Sequence, residues 1–283
     1  MIIVKVFGGL GNQMFQYAFG QILKCKLETE VLYDTNDFKF YALRNFELLN
    51  FGFSFELAND DVCSKFRVSK WPSINYFVNK ILTRRSYFYE PKIDLDRIHL
   101  QKENYFWGYW QFIDYYDSIL ESLREQFDLK SNLTEESSKV KNLIEELNSV
   151  SIHIRKSDYL LKKNSYFASC EMDYYQKAIE YIKYEIKNPT FFIFSDDFEW
   201  VESNMNFKGS QYIYVKTNSV NSTIEDFVLM KSCKHNIIAN STYSWWAAYL
   251  NSYADKIVIC PEKWYNNSHK TLNRNEWIKV KNG

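Results

Sequence analysis

The sequence lacks most features that would assign it quickly. Its five cysteines, Cys25, Cys63, Cys170, Cys233 and Cys260, are odd in number, widely spaced and form no CxxC pair. A disulfide framework or a zinc site is therefore not expected, and reduced, buried thiols in a cytosolic protein are. No apolar run approaches the eighteen residues of a membrane span. The first residues, Met1 to Phe7, form a short β-branched stretch that meets glycines at once, so no signal peptide is expected. Charge of one sign is missing as well: 35 basic residues face 35 acidic ones. That balance argues against a nucleic-acid partner, which would call for a basic excess. The pairs Arg84-Arg85 and Lys162-Lys163 read as solvated surface, with a lesser claim to contact with anionic lipid head groups. There is no Walker loop, no Gly-x-Ser-x-Gly elbow and no His-Glu-x-x-His, which sets aside the common kinases, hydrolases and zincins.

What the chain does have is length and rings. Its 283 residues fit one large domain or two compact ones, able to bury a core without staples. It carries 22 Tyr, 22 Phe and 8 Trp, far more than any sugar site needs, so most of them must pack the core.

Ile2–Phe7 reads as a strand, followed by a glycine turn and a helix with Met14, Tyr17, Ala18, Ile22 and Cys25 at helical spacing. Val31–Asp34 reads as a second strand. Residues 36–104 give mixed signals and are read as short helices and loops, and Trp110–Phe127 as a helix. The polar stretch 131–148, with a cap signal at Thr134, reads as a surface helix and marks a domain junction. Beyond it, strands are expected at Val150–Ile154, Thr190–Phe194, Gln211–Val215, Asn236–Ala239 and Lys256–Ile259. Helices are expected at Met172–Lys187, Thr223–Cys233 and Thr242–Asn251. That alternation indicates parallel sheets, hence an α/β protein of two Rossmann-like halves facing across a cleft. Ligands of such sheets sit at the carboxyl ends of the strands.

Four segments fall at strand ends. Gly8-Gly9-Leu10-Gly11-Asn12-Gln13-Met14 lets the backbone turn sharply in front of a helix N-terminus, a setting suited to an anion. It also imitates a dinucleotide fingerprint, with Asp34 about twenty residues on, although Met14 stands where Gly or Ala is required. His153-Ile154-Arg155-Lys156-Ser157-Asp158-Tyr159 places His153 and Arg155 on one side of a strand end. A forked, permanently charged Arg155 suits a diphosphate, and Asp158 is placed to orient it. The bland alternative is a surface ion pair of Arg155 with Asp158. Ser195-Asp196-Asp197 offers acceptors for a base or a ribose, or simply a helix cap at Ser195 or Asp196. Asn240-Ser241-Thr242-Tyr243-Ser244 supplies hydroxyls at a helix start, for phosphate or for capping.

Taken in order, these segments resemble glycosyltransferase family 11, the inverting α-1,2-fucosyltransferases. The opening Gly8 to Ala18, the His153-x-Arg155-x-x-Asp158-Tyr159 segment, Ser195-Asp196-Asp197 and Asn240 to Trp246 carry the likeness. The stretch from roughly 36 to 130 carries none. The resemblance implies a GT-B type fold, with an acceptor-side domain over 1–145 and a nucleotide-sugar domain over 146–283. It implies GDP-L-fucose as donor, no metal or other cofactor, and a galactose 2-hydroxyl as acceptor on a lipid-linked surface glycan such as lipopolysaccharide. A cytoplasmic enzyme, weakly peripheral at the inner membrane, follows from that reading. Lys156 departs from the second Arg of many members, keeping the charge and losing the fork.

On this reading Arg155, Asn12 and Asp158 act in catalysis. Gly9, Gly11, Gln13, His153, Lys156, Ser195, Asp196, Asp197, Asn240, Ser241, Thr242 and Ser244 hold the donor. The general base is left open, with Asp34 and Asp37 as candidates. Two other readings stand beside it: an NAD-dependent oxidoreductase using Gly9–Gly11 and Asp34, and a non-catalytic carbohydrate-binding module.

Overall fold

The computed structural model describes residues 1–40, 45–83, 86–90, 102–156, 166–205, 207, 209–217 and 222–282. Asp158, Arg84-Arg85 and Lys162-Lys163 lie outside them. The chain divides into two compact units, Met1–Phe127 and Asp128–Gly283.

The first unit is built on a four-stranded sheet. Its elements are β1 (Ile2–Lys5), α1 (Leu10–Leu27), β2 (Val31–Asp34), α2 (Asp60–Ser64), α3 (Pro72–Val78), β3 (Ser86–Tyr89), β4 (Asn104–Trp107) and α4 (Leu120–Gln126). The strands run parallel in the order β2-β1-β4-β3. Apolar β1 is wholly buried because both faces of a parallel sheet are covered. Rings fill the space around it. Phe19 stacks on Trp110 at 4.3 Å and 8°, and Tyr87 stacks on Tyr105 at 5.2 Å and 11°. Stacked and tilted pairs of this kind add roughly 0.5–1.5 kcal/mol each beyond the area they bury.

Two sequence expectations change here. The region read as helices and loops also supplies β3, and β4 begins at its last residue; their Tyr, Phe and Trp side chains pack between sheet and helices. Trp110–Phe127 is not one helix. Trp110 takes a left-handed φ of 55°, which an α-helix does not accommodate. The strained backbone is held by the Phe19 stack and by the Tyr116 hydroxyl, which donates to the Trp110 carbonyl. Helical structure starts only with a 3₁₀ turn at Tyr116–Ile119 and continues as α4.

The second unit contains α5 (Glu135–Glu146), β5 (Asn148–Ile154), α6 (Met172–Glu185), β6 (Pro189–Ser195), α7 (Phe198–Asn204), β7 (Gln211–Tyr214), α8 (Ser222–Ser232), β8 (His235–Ile237), α9 (Thr242–Leu250), β9 (Val258–Pro261) and β10 (Ile278–Val280). Its six strands are parallel in the order β10-β9-β8-β5-β6-β7. Val150, Ile152 and Ile154 of β5 pack with Phe191 and Ile193 of β6 and with Tyr174, Tyr175, Ala178 and Ile182 of α6. All nine are fully buried, so truncating Phe191 to Ala would cost about 3–5 kcal/mol.

The expected boundary at 145/146 differs from the observed division at 127/128. Phe127 is packed among Tyr17, Phe51 and Phe53 of the first unit. Helix α5 is capped by Thr134 as the sequence indicates, yet it belongs to the second unit. Ile144 of α5 is fully buried, and the hydroxyls of Thr134 and Ser137 donate to buried Glu225 of α8. A helix so anchored is not a linker.

Candidate functional site

In the second unit, strand order reverses between β5 and β8. Strands β6 and β7 lie on one side of β5, and β8, β9 and β10 on the other. The chain leaves β5 and β8 toward opposite faces there, opening a crevice at their carboxyl ends. Arg155 follows β5 and Ser241 precedes α9, which follows β8. The two meet, with Arg155 Nη1 donating to Ser241 Oγ at 3.3 Å. Ser241 is also the N-cap of α9, accepting from the Tyr243 amide at 3.4 Å. A guanidinium thus stands beside a helix N-terminus, two sources of positive field at one point.

His153 is 7% exposed, and its Nδ1 is buried with no hydrogen-bond partner among the described residues. Its ring meets Tyr243 edge to face at 5.6 Å. Burial, then the charge of Arg155, pushes its pKa down to about 3 against an opposing pull from Asp196. The imidazole is therefore neutral near pH 7 and offers an acceptor or donor rather than a charge.

The remaining motif residues divide by what they hold. Asp196 Oδ1 accepts from the Lys156 amide at 2.9 Å, tying the ends of β5 and β6 together. The cap of α7 is Asp197, whose Oδ1 accepts from the Trp200 amide at 2.9 Å, while Ser195 Oγ accepts from the Asp197 amide at 3.0 Å. The expected cap at Ser195 or Asp196 thus falls one or two residues further on. Lys156 is turned inward. Its ammonium donates to the Cys170 carbonyl at 3.2 Å, pairs with Glu171 at 3.3 Å and lies 4.2 Å from the Trp200 ring. Buried Asn240 donates to the carbonyls of Ala168 and Trp264 at 2.7 and 2.6 Å. Ser244 is buried and donates to the Ser241 carbonyl at 3.4 Å, and Thr242 is half-buried at the start of α9. Lys156, Asn240 and Ser244 therefore shape the walls, and Arg155, His153, Ser241 and Asp196 lie at the crevice. Trp200 and Glu171, which carried no signal in the sequence, fix Lys156.

In the first unit the order reverses between β1 and β4, and the glycine turn sits at that point. Gly8 has φ +82°, and a Cβ there would come within 3.1 Å of the Asn12 amide nitrogen, so glycine is required. Gly9 is the N-cap of α1 with ordinary φ −76°, and Gly11 is buried within that helix. Gln13 is fully buried. It donates to the Gly8 and Asn45 carbonyls at 2.9 and 2.8 Å and accepts from the Glu47 amide at 2.9 Å. Gln16 accepts from the Phe7 amide at 2.9 Å and donates to the Gly108 carbonyl at 3.2 Å, joining the exits of β1 and β4. These glutamines hold the turn in shape. Half-buried Asn12 accepts from Gln111 at 3.3 Å.

A cavity of about 560 Å³ opens within this unit, lined by Lys5, Phe7, Asp37, Arg67, Tyr87 and Trp107 among others. The Phe7 and Trp107 rings stack at 5.1 Å and 13°. Asp37 is about half exposed and pairs with both Lys5 and Arg67, the latter at 2.8 Å. Asp34 is withdrawn. It is 1% exposed, accepts from the Tyr105 hydroxyl at 2.6 Å and lies 3.3 Å from Arg67. Burial works against the charge of Arg67, but Asp34, Tyr105 and Asp37 hold its pKa above the ordinary value. Of the two candidate bases, only Asp37 lines the cavity. Lys5 and Arg67 carried no motif; the one hint was a lysine closing an apolar strand.

Among the described residues no three His, Cys, Asp or Glu side chains gather as a metal site would require, and no helix is long and apolar enough to cross a membrane. All five cysteines are free, four of them buried.

Comparison with known proteins agrees with this architecture. The O-antigen biosynthesis glycosyltransferase WbnK of Escherichia coli is 33% identical, over 96% of this chain and 98% of that protein. An α-1,2-colitosyltransferase of Escherichia coli is 31% identical over 94% and 92%. Among solved structures, a point mutant of Arabidopsis thaliana FUT1 in complex with GDP superposes with a TM-score of 0.53. It covers 92% of this chain and 70% of that one at 14% identity. The α-1,6-fucosyltransferase NodZ soaked with GDP-fucose, an enzyme of Bradyrhizobium, gives 0.50 over 88% and 91%, also at 14% identity. These likenesses establish the GT-B type fold. Residues 1–281 match glycosyl transferase family 11, and the chain belongs to that family of glycosyltransferases.

Proposed function

We propose that this glycosyltransferase moves L-fucose from GDP-L-fucose, with inversion, onto the 2-hydroxyl of a galactose in a surface glycan. The observation that carries the proposal is the Arg155–Ser241 contact at the start of α9, at the reversal point of the second unit's sheet.

Breaking the bond between sugar and phosphate leaves charge on the β-phosphate, and donors already in place stabilise it as it develops. Arg155 and the amides opening α9 supply them, with the hydroxyls of Ser241 and Thr242 alongside. The forked guanidinium takes two phosphate oxygens at once. His153 and Asp196 hold the nucleoside, and the orphaned Nδ1 of His153 gains its partner there. Asp158, outside the described residues, keeps the role of orienting Arg155 that the sequence gives it. The second unit is thus the donor unit, and the cationic field of Arg155 and α9 serves in place of a metal ion.

The first unit takes the acceptor. Its cavity joins stacked rings to an ion-paired carboxylate, a combination that receives the apolar face and the hydroxyls of a sugar. Asn12 and Asp37 contact the acceptor sugar. Colitose as the transferred sugar is a second reading, favoured by the 31% identity to the α-1,2-colitosyltransferase.

The test is a melting screen followed by a transfer assay. GDP should raise the melting temperature and NAD should not. GDP-fucose, offered with a panel of galactosides in the presence of EDTA, should yield a 1,2-linked product by NMR. Stabilisation by NAD alone would return the oxidoreductase reading. Sugar binding that ignores GDP would point to a carbohydrate-binding module. Transfer lost to EDTA and restored by magnesium would overturn the metal-free mechanism. Turnover of a GDP-colitose donor with none of GDP-fucose would select the second reading.

A further inference from the structure

Helix α3 and the π-helical turn that extends it, Asn79–Thr83, face the wrong way for a helix in water. A surface helix turns its apolar stripe inward and its polar residues out. Here two asparagines are inside. Asn75 is 3% exposed; its side chain accepts from the Ser69 amide at 2.8 Å and donates to the Ser69 carbonyl at 2.9 Å. Asn79 is fully buried and donates to the carbonyls of Phe66 and Asn75, both at 2.8 Å. The large apolar side chains are outside: Trp71 is 67% exposed, Ile74 46%, Phe77 62% and Ile81 56%, with Val68 just before them at 56%. The spacing 71, 74, 77, 81 puts these side chains on one helical face. An exposed stripe of this size marks a binding surface.

Charge identifies what covers it. From Val62 to Tyr89 the sequence holds no aspartate or glutamate and six basic residues, Lys65, Arg67, Lys70, Lys80, Arg84 and Arg85, within a chain that is neutral as a whole. Arg67 is turned inward to Asp34 and Asp37, whereas Lys65, Lys70 and Lys80 of the same segment are exposed, Lys70 at the rim of the cavity and Lys80 donating to the Tyr76 hydroxyl at 3.3 Å. Tryptophan and phenylalanine on one face with lysines at the flanks is the composition of a helix lying in the head-group layer of a bilayer. Lysines near such a surface are drawn to anionic lipid, with rings and aliphatic chains entering the acyl boundary.

We propose that this face is a docking surface for an anionic lipid membrane, with Trp71, Ile74, Phe77 and Ile81 inserted and Lys65, Lys70 and Lys80 at the phosphates.

The test uses the full chain and no transfer assay, so it stands or falls apart from the donor and acceptor assignments. Wild-type protein is sedimented with vesicles of phosphatidylcholine alone or with one third phosphatidylglycerol. Binding to the anionic vesicles is expected, weakened by salt. The variant W71S/F77S should lose roughly tenfold or more in partitioning. The variant K65Q/K80Q should lose about fivefold per charge on the anionic vesicles only. Both alter exposed side chains, so melting temperatures should match wild type. A milder variant, W71F, covers the case of a folding defect. Lipids brominated near the head group should quench wild-type tryptophan fluorescence, and most of that quenching should vanish in W71F. The proposal is overturned if wild type sediments with neither vesicle, or if W71S/F77S sediments as well as wild type. It is equally overturned if wild type proves to be a dimer that W71S/F77S converts to monomer, since the face would then join two copies of the chain.

Discussion

The two units build a crevice from the same parallel-sheet logic but draw its charged residues from the chain differently. In the second unit the groups at the crevice come from short runs at the ends of neighbouring strands: His153 at the end of β5 and Arg155 just after it, Asp196 after β6 and Ser241 after β8. In the first unit the cavity's ionic cluster joins Lys5, Asp37 and Arg67, drawn from separate segments and backed by buried Asp34. A site read from one run of sequence at a time is visible in the second unit and hidden in the first. The proposed function divides the work along the same line. The cationic crevice suits a diphosphate, and the ring-lined, ion-paired cavity suits an uncharged sugar.

The sharpest test of that division is Arg155→Ala. Losing one donor to a developing oxyanion should lower kcat on the order of 10²–10³-fold and leave the melting temperature near wild type. Arg155→Lys should recover little, because the fork and not the charge alone is used. Near-normal turnover in either variant would remove Arg155 from the mechanism. Asp37→Asn probes the other unit. It should raise the acceptor KM by roughly tenfold, the worth of one hydrogen bond to a charged group, while GDP-induced stabilisation stays intact. A loss of GDP binding instead would erase the division between donor and acceptor units.

Packing of the first unit is open to a third test. Gly20 lies in α1, where Ala is ordinarily favoured over Gly by about 1 kcal/mol. A Cβ at Gly20, however, would come within 2.4 Å of the Tyr33 hydroxyl and 2.8 Å of its ring carbons. Tyr33 is buried and donates to the Tyr17 carbonyl at 3.1 Å, so it cannot withdraw. The clash should win, and Gly20→Ala should destabilise by about 1–3 kcal/mol in denaturant melts. Tyr33→Phe added to it should restore only part, since the ring carbons remain.

The smallest effect concerns pH and the second unit. His153 titrates near 3 in the folded chain and near the ordinary 6.5 when unfolded. Above 6.5 both states are neutral and the histidine has no effect on stability. As pH falls from 6.5 toward 3 the unfolded chain takes the proton first, so stability is lost over that window. His153→Gln should therefore flatten the fall in melting temperature between pH 6.5 and 4. An unchanged slope would show that the ring is less enclosed than its burial indicates.

Much of the second unit was legible before the structure. Its apolar strands and amphipathic helices repeat at the right periods, and their ends drift by only a few residues. The exceptions are informative: α7 and β10 are too short, at seven and three residues, to show a period. In the first unit, aromatic residues sit on strands, loops and helices alike, so hydrophobic period carries little signal. Strand β3 and the left-handed Trp110 depend on ring partners distant in sequence. Residue identity named the crevice of the second unit but not the role of each member. Gln13, Lys156 and Asn240 look like ligand contacts in a linear motif, and only their buried carbonyl partners show them to be supports.

Sequence alone determined the family, the parallel α/β architecture and the segments that end at a crevice. These follow from local periodicity and from glycine and charge placed at strand ends, which neighbouring residues encode. The tertiary structure decided which polar groups are consumed internally, which carboxylate lines the cavity, and which face of α3 is bare. Those outcomes depend on long-range burial, and whether a side chain meets water or a distant carbonyl is not written in the residues beside it.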